Sequence, residues 1–128
     1  MIRVCIDLPF PPSVNALWKM GRSRRGRRIM YRSKPYISWL RQADIEWMVQ
    51  KPRGPFKTIE GPFKIRIMLS RPDRRSRDSD NYSKAPQDWL QRAGIIKNDK
   101  NSLETRIGWV TDEEAPVGMR LIITPVSS

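Results

Sequence analysis

The apolar residues of this chain fall into short alternating runs, and prolines stand between them. Phe63, Ile65, Ile67 and Leu69 alternate with Lys64, Arg66 and Met68. Successive side chains of a strand point to opposite faces, so this spacing predicts a half-buried β-strand. Ile2, Val4, Ile6 and Leu8, set against Arg3, Cys5 and Asp7, predict a second. Pro9, Pro11 and Pro12 end it, because proline has no N–H to give a ladder. With 11 prolines, the chain must hold much irregular structure around a few short elements.

Between these strands the period changes. Tyr36, Leu40, Ala43 and Trp47 recur at spacings of three and four, with Trp39 and Met48 widening the stripe. A helix over 33–50 follows, capped by Ser33 with Pro35 in its first turn. Residues 51–61 read as a loop. A second helix is expected after Asp80, which is placed to cap it. Its apolar face is Tyr82, Ala85, Trp89 and Ala93, and Gly94 suits the position just past its end. Pro86 predicts either a kink or a start near residue 86. On a straight helix Asp80, Lys84 and Asp88 share one stripe. Residues 103–109 and 119–124 are expected as the last two strands, with Leu103, Thr105, Ile107 and Trp109 on one face, and a turn at 112–116. The order β-α-β-α-β-β gives an α+β class: one domain over 1–128, with a mixed sheet of about four strands and two helices.

The net charge of +12, from 25 basic against 13 acidic residues, concerns partners rather than fold. Neutralising phosphates releases counterions, so nucleic acid is the leading partner. No stretch approaches the ~18 apolar residues of a membrane span, and no signal-peptide pattern opens the chain, so no membrane partner is expected. Residues 19–34 contain Lys19, Arg22, Arg24, Arg25, Arg27, Arg28, Arg32 and Lys34 and no acid. This segment is expected as a mobile basic loop that orders on nucleic acid, its aromatic neighbours Trp18, Tyr31 and Tyr36 meeting unstacked bases. Histidine is absent, which excludes a histidine base, a Ser-His-Asp triad and histidine-ligated metal. The single cysteine, Cys5, excludes an internal disulfide and fits a reducing cytoplasm.

Carboxylates are the scarce charge, yet two stand one residue apart within Arg71–Lys84. Asp78 and Asp80 follow Arg71, Arg74, Arg75 and Arg77 and precede Asn81 and Lys84. Two oxygen ligands at that spacing can hold a hard cation such as Mg²⁺, with Mn²⁺ as the alternative. Asp99, in the turn after the second helix, can return to the same strand end as a third ligand. Arginines beside them can hold phosphates. Lys84 would hold a non-bridging oxygen or orient the attacking water. The same residues also admit a purely structural reading: Asp80 as a helix cap, Asp78 as a partner for Arg75 or Arg77, and Asp99 and Asn15 as turn residues. An aspartyl-phosphatase nucleophile fits less well, because Ser76 and Arg77, not an apolar strand, precede Asp78.

Three segments together resemble the RusA family of Holliday junction resolvases. They are Leu8–Trp18 with its Pro-Pro-Ser-Val-Asn run, Pro72–Ala85 with Arg-Asp-Ser-Asp-Asn-Tyr-Ser-Lys, and Asp88–Asp99. The resemblance implies a Mg²⁺-dependent homodimer that cuts opposed strands of four-way DNA junctions. By position it assigns Asp78, Asp80 and Asp99 as catalytic carboxylates and metal ligands, assisted by Lys84. Arg24, Arg25, Arg27, Arg28, Arg74, Arg75 and Arg77 are the expected DNA contacts, and Asn15, Asn81 and Asp88 are supporting residues. Where the family often carries two aspartates in the last turn, this chain has Asn98 before Asp99. A non-catalytic basic nucleic-acid-binding module and a nuclease for other branched DNA are the alternative readings.

Overall fold

The structure, a computed structural model, describes residues 3–126. Four of the alternating runs join edge to edge. They are β1 (Val4–Leu8), β4 (Phe63–Leu69), β5 (Ser102–Trp109) and β6 (Met119–Pro125), in the sheet order β1-β6-β4-β5. β6 runs antiparallel to both β1 and β4, whereas β5 runs parallel to β4. A parallel neighbour requires a crossover, and the second helix lies within it. Alternation holds along three strands: Val4, Ile6 and Leu8, then Phe63, Ile65, Ile67 and Leu69, then Met119, Leu121 and Ile123 are buried. Each such side chain taken from water contributes roughly 1.5–3 kcal/mol, so this face and the helices on it form the core. Ile2 lies outside the described residues.

Helix α1 (Lys34–Gln50) begins where expected. The Ser33 hydroxyl accepts the Tyr36 N–H at 3.2 Å, and Pro35 lies in the first turn. Tyr36, Trp39, Leu40 and Ala43 are buried, but Met48 is 74% exposed and does not join the stripe. Helix α2 (Lys84–Arg92) crosses to α1 through the Trp89 indole, which donates to Asp44 Oδ1 at 2.9 Å. Gly94 follows it at φ 76°, the left-handed conformation that ends helices. Pro86 is the third residue of α2. The first N–H groups of a helix have no partner within it, so the proline costs no hydrogen bond there and the helix begins ahead of it.

Three expectations change. Residues 19–34 are not an open loop. Most of them fold into a separate two-stranded sheet of β2 (Trp18–Arg22) and β3 (Arg28–Arg32), paired in register from Trp18↔Arg32 to Arg22↔Arg28. A positive-φ glycine at the tip, Gly26, permits the reversal. Leu103 is 61% exposed and no residue of β5 is fully buried, so its alternation does not mark a buried face. Ile95 and Ile96, read as turn residues, are buried, and Ile96 bridges Ile59 as an isolated parallel pair. Among the described residues, no helix is long and apolar enough to cross a membrane.

Candidate active site

The Arg71–Lys84 stretch leaves the sheet from the end of β4. Ser70 N–H donates to the Gly118 carbonyl at 3.0 Å, fixing this exit beside the start of β6. Gly118 has φ 88°, and a Cβ there would lie 2.5 Å from the Leu8 carbonyl oxygen, so only glycine fits. Arg71 then turns back over the Trp109 ring, its guanidinium carbon 4.5 Å from the centroid.

Asp73 organises the arginines that follow. Its carboxylate accepts from both terminal nitrogens of Arg77, at 2.8 Å for Nη2, and from the Arg75 backbone N–H at 2.9 Å. The Arg77 hydrogen bond, joined by that of Arg75, holds the Asp73 carboxyl well below the usual carboxylate range. The same bond raises the Arg77 guanidinium further above its ordinary value. Asp73 therefore takes the ion-pair role that sequence also allowed for Asp78, and Asp78 is left out of the clip. Arg74 points no bond at any described residue and is exposed.

Asp78 instead caps a 3-10 turn, Ser79–Tyr82, accepting the Asp80 N–H at 3.1 Å. Asp80 was expected to cap the second helix. It does not: Ser83 holds that position, and Asp80 lies inside the preceding turn rather than on the Lys84–Asp88 stripe. Among the described residues the Asp80 carboxylate has no hydrogen-bond or ion-pair partner. Both carboxylates are exposed. Asn81 holds the turn through its N–H to the Asp78 carbonyl at 3.2 Å.

The turn rests on an aromatic footing. Tyr82 is buried, with ring centroids 4.9 Å from Phe10 and 6.0 Å from Trp109, and Phe10 stacks on Trp109 at 6.0 Å and 10°. Phe10 comes from the proline-rich segment, Tyr82 from the turn and Trp109 from the end of β5. The same segment continues into a short 3-10 turn, Val14–Ala16, that packs against Ser79–Tyr82 and carries Asn15 with it. The proline run thus acts as a rigid strut for the carboxylate turn. Sequence reading missed Phe10, Tyr82, Trp109 and Asp73 as site-forming residues. The conjunction of a lone Phe among prolines with a Tyr two residues after Asp80 was the available signal.

Lys84 opens α2 and pairs with Asp88, Nζ to Oδ1 3.1 Å. The hydrogen bond and charge of Asp88 raise the Lys84 pKa, and Asp99 raises it further. Asp99 is thus near enough for its charge to act on Lys84, while its backbone is tied to Gln91, near the other end of α2. Its turn, Asp99–Asn101, is capped by Asn98, which accepts the Lys100 N–H at 2.9 Å, and the Asp99 N–H donates to Gln91 Oε1 at 3.1 Å. Asn98 performs an aspartate's capping task without its charge. Tyr36 lies between this site and the hairpin. Burial raises its pKa, Asp88 acting in the same direction and Arg32, Lys84 and Arg92 against it. Trp18 meets Tyr36 edge-on at 6.4 Å, which seats the hairpin's base beside the Lys84–Asp88 pair. Arg24, Arg25, Arg27 and Arg28 are exposed toward the far end of that hairpin.

The donor set suits a hard cation, with carboxylate oxygens and neither imidazole nor thiolate nearby. Among the described residues, no three acidic side chains are gathered closely enough to enclose a metal. Mg²⁺ usually takes one or two carboxylates and completes its shell with water and substrate phosphate. An exposed pair at Asp78 and Asp80 fits that habit.

Residues 9–122 match the family model described as Endodeoxyribonuclease RusA. This chain belongs to that family. It is 35% identical over 104 residues to the crossover junction endodeoxyribonuclease of Enterobacteria phage 82, covering 80% of this chain and 78% of the relative. The protein of the same name from Shigella sonnei is 34% identical over the same shares. That of Enterobacteria phage HK97 is 31% identical over 103 residues, 78% of this chain and 77% of the relative. The RusA match spans the proline strut, the hairpin, the carboxylate turn and Asp99.

Proposed function

We propose that this protein is a Mg²⁺-dependent endonuclease that resolves four-way DNA junctions as a homodimer, with Mn²⁺ as a substitute metal. The observation that carries this reading is the Asp78–Asp80 turn. In a chain of net charge +12, two exposed carboxylates sit on a rigid footing and, among the described residues, neither forms an ion pair. A surface turn has no need of such a footing, whereas a ligand pair does. Family membership points to the same chemistry, since the relatives are named crossover junction endodeoxyribonucleases.

Asp78, Asp80 and Asp99 would hold the metal, which supplies Lewis-acid polarisation of the phosphate and a water of lowered pKa in place of a histidine base. Lys84, fixed by Asp88, donates to a non-bridging phosphate oxygen. Arg74, Arg75 and Arg77, the last two gathered by Asp73, hold the neighbouring phosphates, and the hairpin arginines hold a more distant stretch of backbone. In-line attack would leave 5′-phosphate and 3′-hydroxyl ends.

A two-fold dimer would present two such sites to a junction of similar symmetry. The outer edge of β5 supports it. Among the described residues this eight-residue strand has no partner beyond β4. Antiparallel self-pairing about Thr105 would set Glu104 opposite Arg106 of a second copy. The reducing setting expected for a lone cysteine and the phage and bacterial relatives favour a cytoplasmic location.

The test compares cleavage of a four-way junction, a flap and a linear duplex at one salt concentration, with Mg²⁺ and with EDTA. Metal-dependent paired nicks confined to the junction are expected. Preferential flap cleavage would reassign the substrate. Salt-sensitive binding with no cleavage would make the protein a binding module.

A further inference from the structure

The β2–β3 hairpin carries more than arginine. Cross-strand partners share a face, so Trp18, Met20 and Arg22 lie on the same face as Arg32, Met30 and Arg28. The centre of this face is the Met20–Met30 pair, 60% and 64% exposed. Two arginines, Arg22 and Arg28, lie about 7 Å from it along the ribbon on one side. Arg32 lies on the other, its guanidinium 5.9 Å from the Trp18 ring. The opposite face covers itself in part. There Tyr31 lies across Gly21 so closely that a Cβ would stand 2.6 Å from Tyr31 Cε1. Ile29 and Tyr31 on that face are 43% and 46% exposed, so the methionine pair is the more open apolar surface.

Met20 and Met30 are direct cross-strand neighbours and Trp18, 44% exposed, lies on the same face, so they form one contiguous apolar patch of the kind that marks an interaction site. A second copy of the same face is opposed by charge. Arg22, Arg28 and Arg32 would meet their own kind, and no acidic residue occurs between Asp7 and Asp44. The occupant must therefore be anionic at its edges and apolar at its centre. Nucleic acid meets that description only where its bases are unstacked, as at a branch point; within a continuous duplex the apolar faces are hidden against one another. Methionine adapts its shape to such irregular apolar surfaces. The arm is anchored for this task at its base: Leu17 is buried, its carbonyl accepts the Ser33 N–H at 2.9 Å, and the Ser33 hydroxyl donates to the Ala16 carbonyl at 2.6 Å.

We infer that the Met20–Met30 pair is an apolar wedge that packs against unstacked bases at the branch point and so gives the enzyme its preference for junctions over duplex. This rests on the junction reading above. The arginines grip backbone of any shape, and the methionines report whether the bases between are open.

The test uses the full chain in EDTA, so that binding is separated from cutting. The substrates are a four-way junction with 2-aminopurine at the branch and a duplex of the same sequence. Wild type is expected to raise the 2-aminopurine fluorescence as the bases unstack. Met20→Ser with Met30→Ser should abolish that rise and lower the junction-to-duplex affinity ratio by roughly tenfold, in keeping with the removal of a surface that covers one base. Met20→Leu with Met30→Leu should keep both. Arg22→Gln with Arg28→Gln should weaken junction and duplex alike. Far-UV circular dichroism checks that each variant is folded, and Met30→Gln alone serves if the double variant is not.

The inference is overturned if the serine variant keeps the affinity ratio and the fluorescence change. It is equally overturned if that variant turns a dimer into a monomer by light scattering, or if the methionines prove necessary for binding phosphatidylglycerol vesicles instead. Junction cleavage by wild type with Mg²⁺ separates this inference from its premise. If wild type cuts junctions but the wedge is dispensable, the inference alone falls. If wild type neither cuts nor prefers junctions, both fall.

Discussion

The carboxylate turn and the hairpin are both polar surface features, yet they are held in opposite ways. The turn 79–82 is supported from beneath: Tyr82 is buried, and Phe10 and Trp109 pack around it from two other elements. The hairpin is supported by its own ladder and by its base alone, with nearly every residue exposed. Packed aromatics fix a turn against displacement, whereas a two-stranded ribbon is marginally stable by itself and adapts. The contrast suits the proposed division of labour, in which the carboxylates put forward as metal ligands would be rigid and the arginines put forward as the backbone grip would conform to the substrate.

If that division holds, damage beneath the turn should cost far more than damage on the arm. The largest effect is expected for Phe10→Ala. It should lower unfolding free energy by about 2–4 kcal/mol, somewhat less than the cost of truncating a fully buried aromatic because Phe10 is only partly buried, and also reduce cleavage of molecules that remain folded. Urea denaturation with single-turnover cleavage separates the two losses. Similar stability for Phe10→Ala and wild type would show that the strut is not a support.

Next in size is the link between the helices. Trp89→Phe removes the donor to Asp44 Oδ1 and should cost about 1–2 kcal/mol, from one hydrogen bond to a charged group and some lost packing, read by the urea midpoint. On the arm, Arg24→Gln with Arg25→Gln and Arg27→Gln should leave the urea midpoint unchanged. The slope of log affinity against log salt should instead fall by about 0.9 for each phosphate that is no longer neutralised. A change in stability would mean that the arm is bound to the body more tightly than its exposure implies.

The smallest effect concerns pH. Asp88 and Asp99 raise the Lys84 pKa above its ordinary 10.5. A raised pKa makes the contribution of the pair complete below about 10.5, and it is lost as pH climbs through the folded value. Asp88→Asn should move the Lys84 titration, followed by NMR of its side chain, back toward 10.5. An unmoved titration would remove Asp88 as its holder.

Much of the scaffold could be read from residues alone, because period-2 and period-3.6 patterns report burial directly. β4, β6 and α1 appear where alternation and the Ser33 cap placed them. The hairpin was not legible: its strands bury neither face, the Trp18–Met20 alternation is too short to predict a strand, and the arginines around it resemble a solvated loop. Ile95 and Ile96 were missed because a short turn can be buried by tertiary packing without any period. The carboxylates at 78, 80 and 99 were visible as scarce charges. What their spacing could not disclose was which one had a structural task. A capping role is open to either aspartate, and only the backbone geometry gives it to Asp78. Asp73 was hidden for a similar reason, since any of the nearby acids could have served the arginines.

That assignment selects the decisive residue. Asp80 caps nothing and pairs with nothing among the described residues, so Asp80→Asn removes charge with little change to the fold. The direct test is single-turnover cleavage of a four-way junction in Mg²⁺ by wild type and Asp80→Asn, with junction affinity and urea midpoint measured alongside. A fall in rate of at least about a hundredfold, equivalent to roughly 2.7 kcal/mol of transition-state stabilisation, with affinity and midpoint preserved, is the predicted result. A rate equal to wild type would contradict the account.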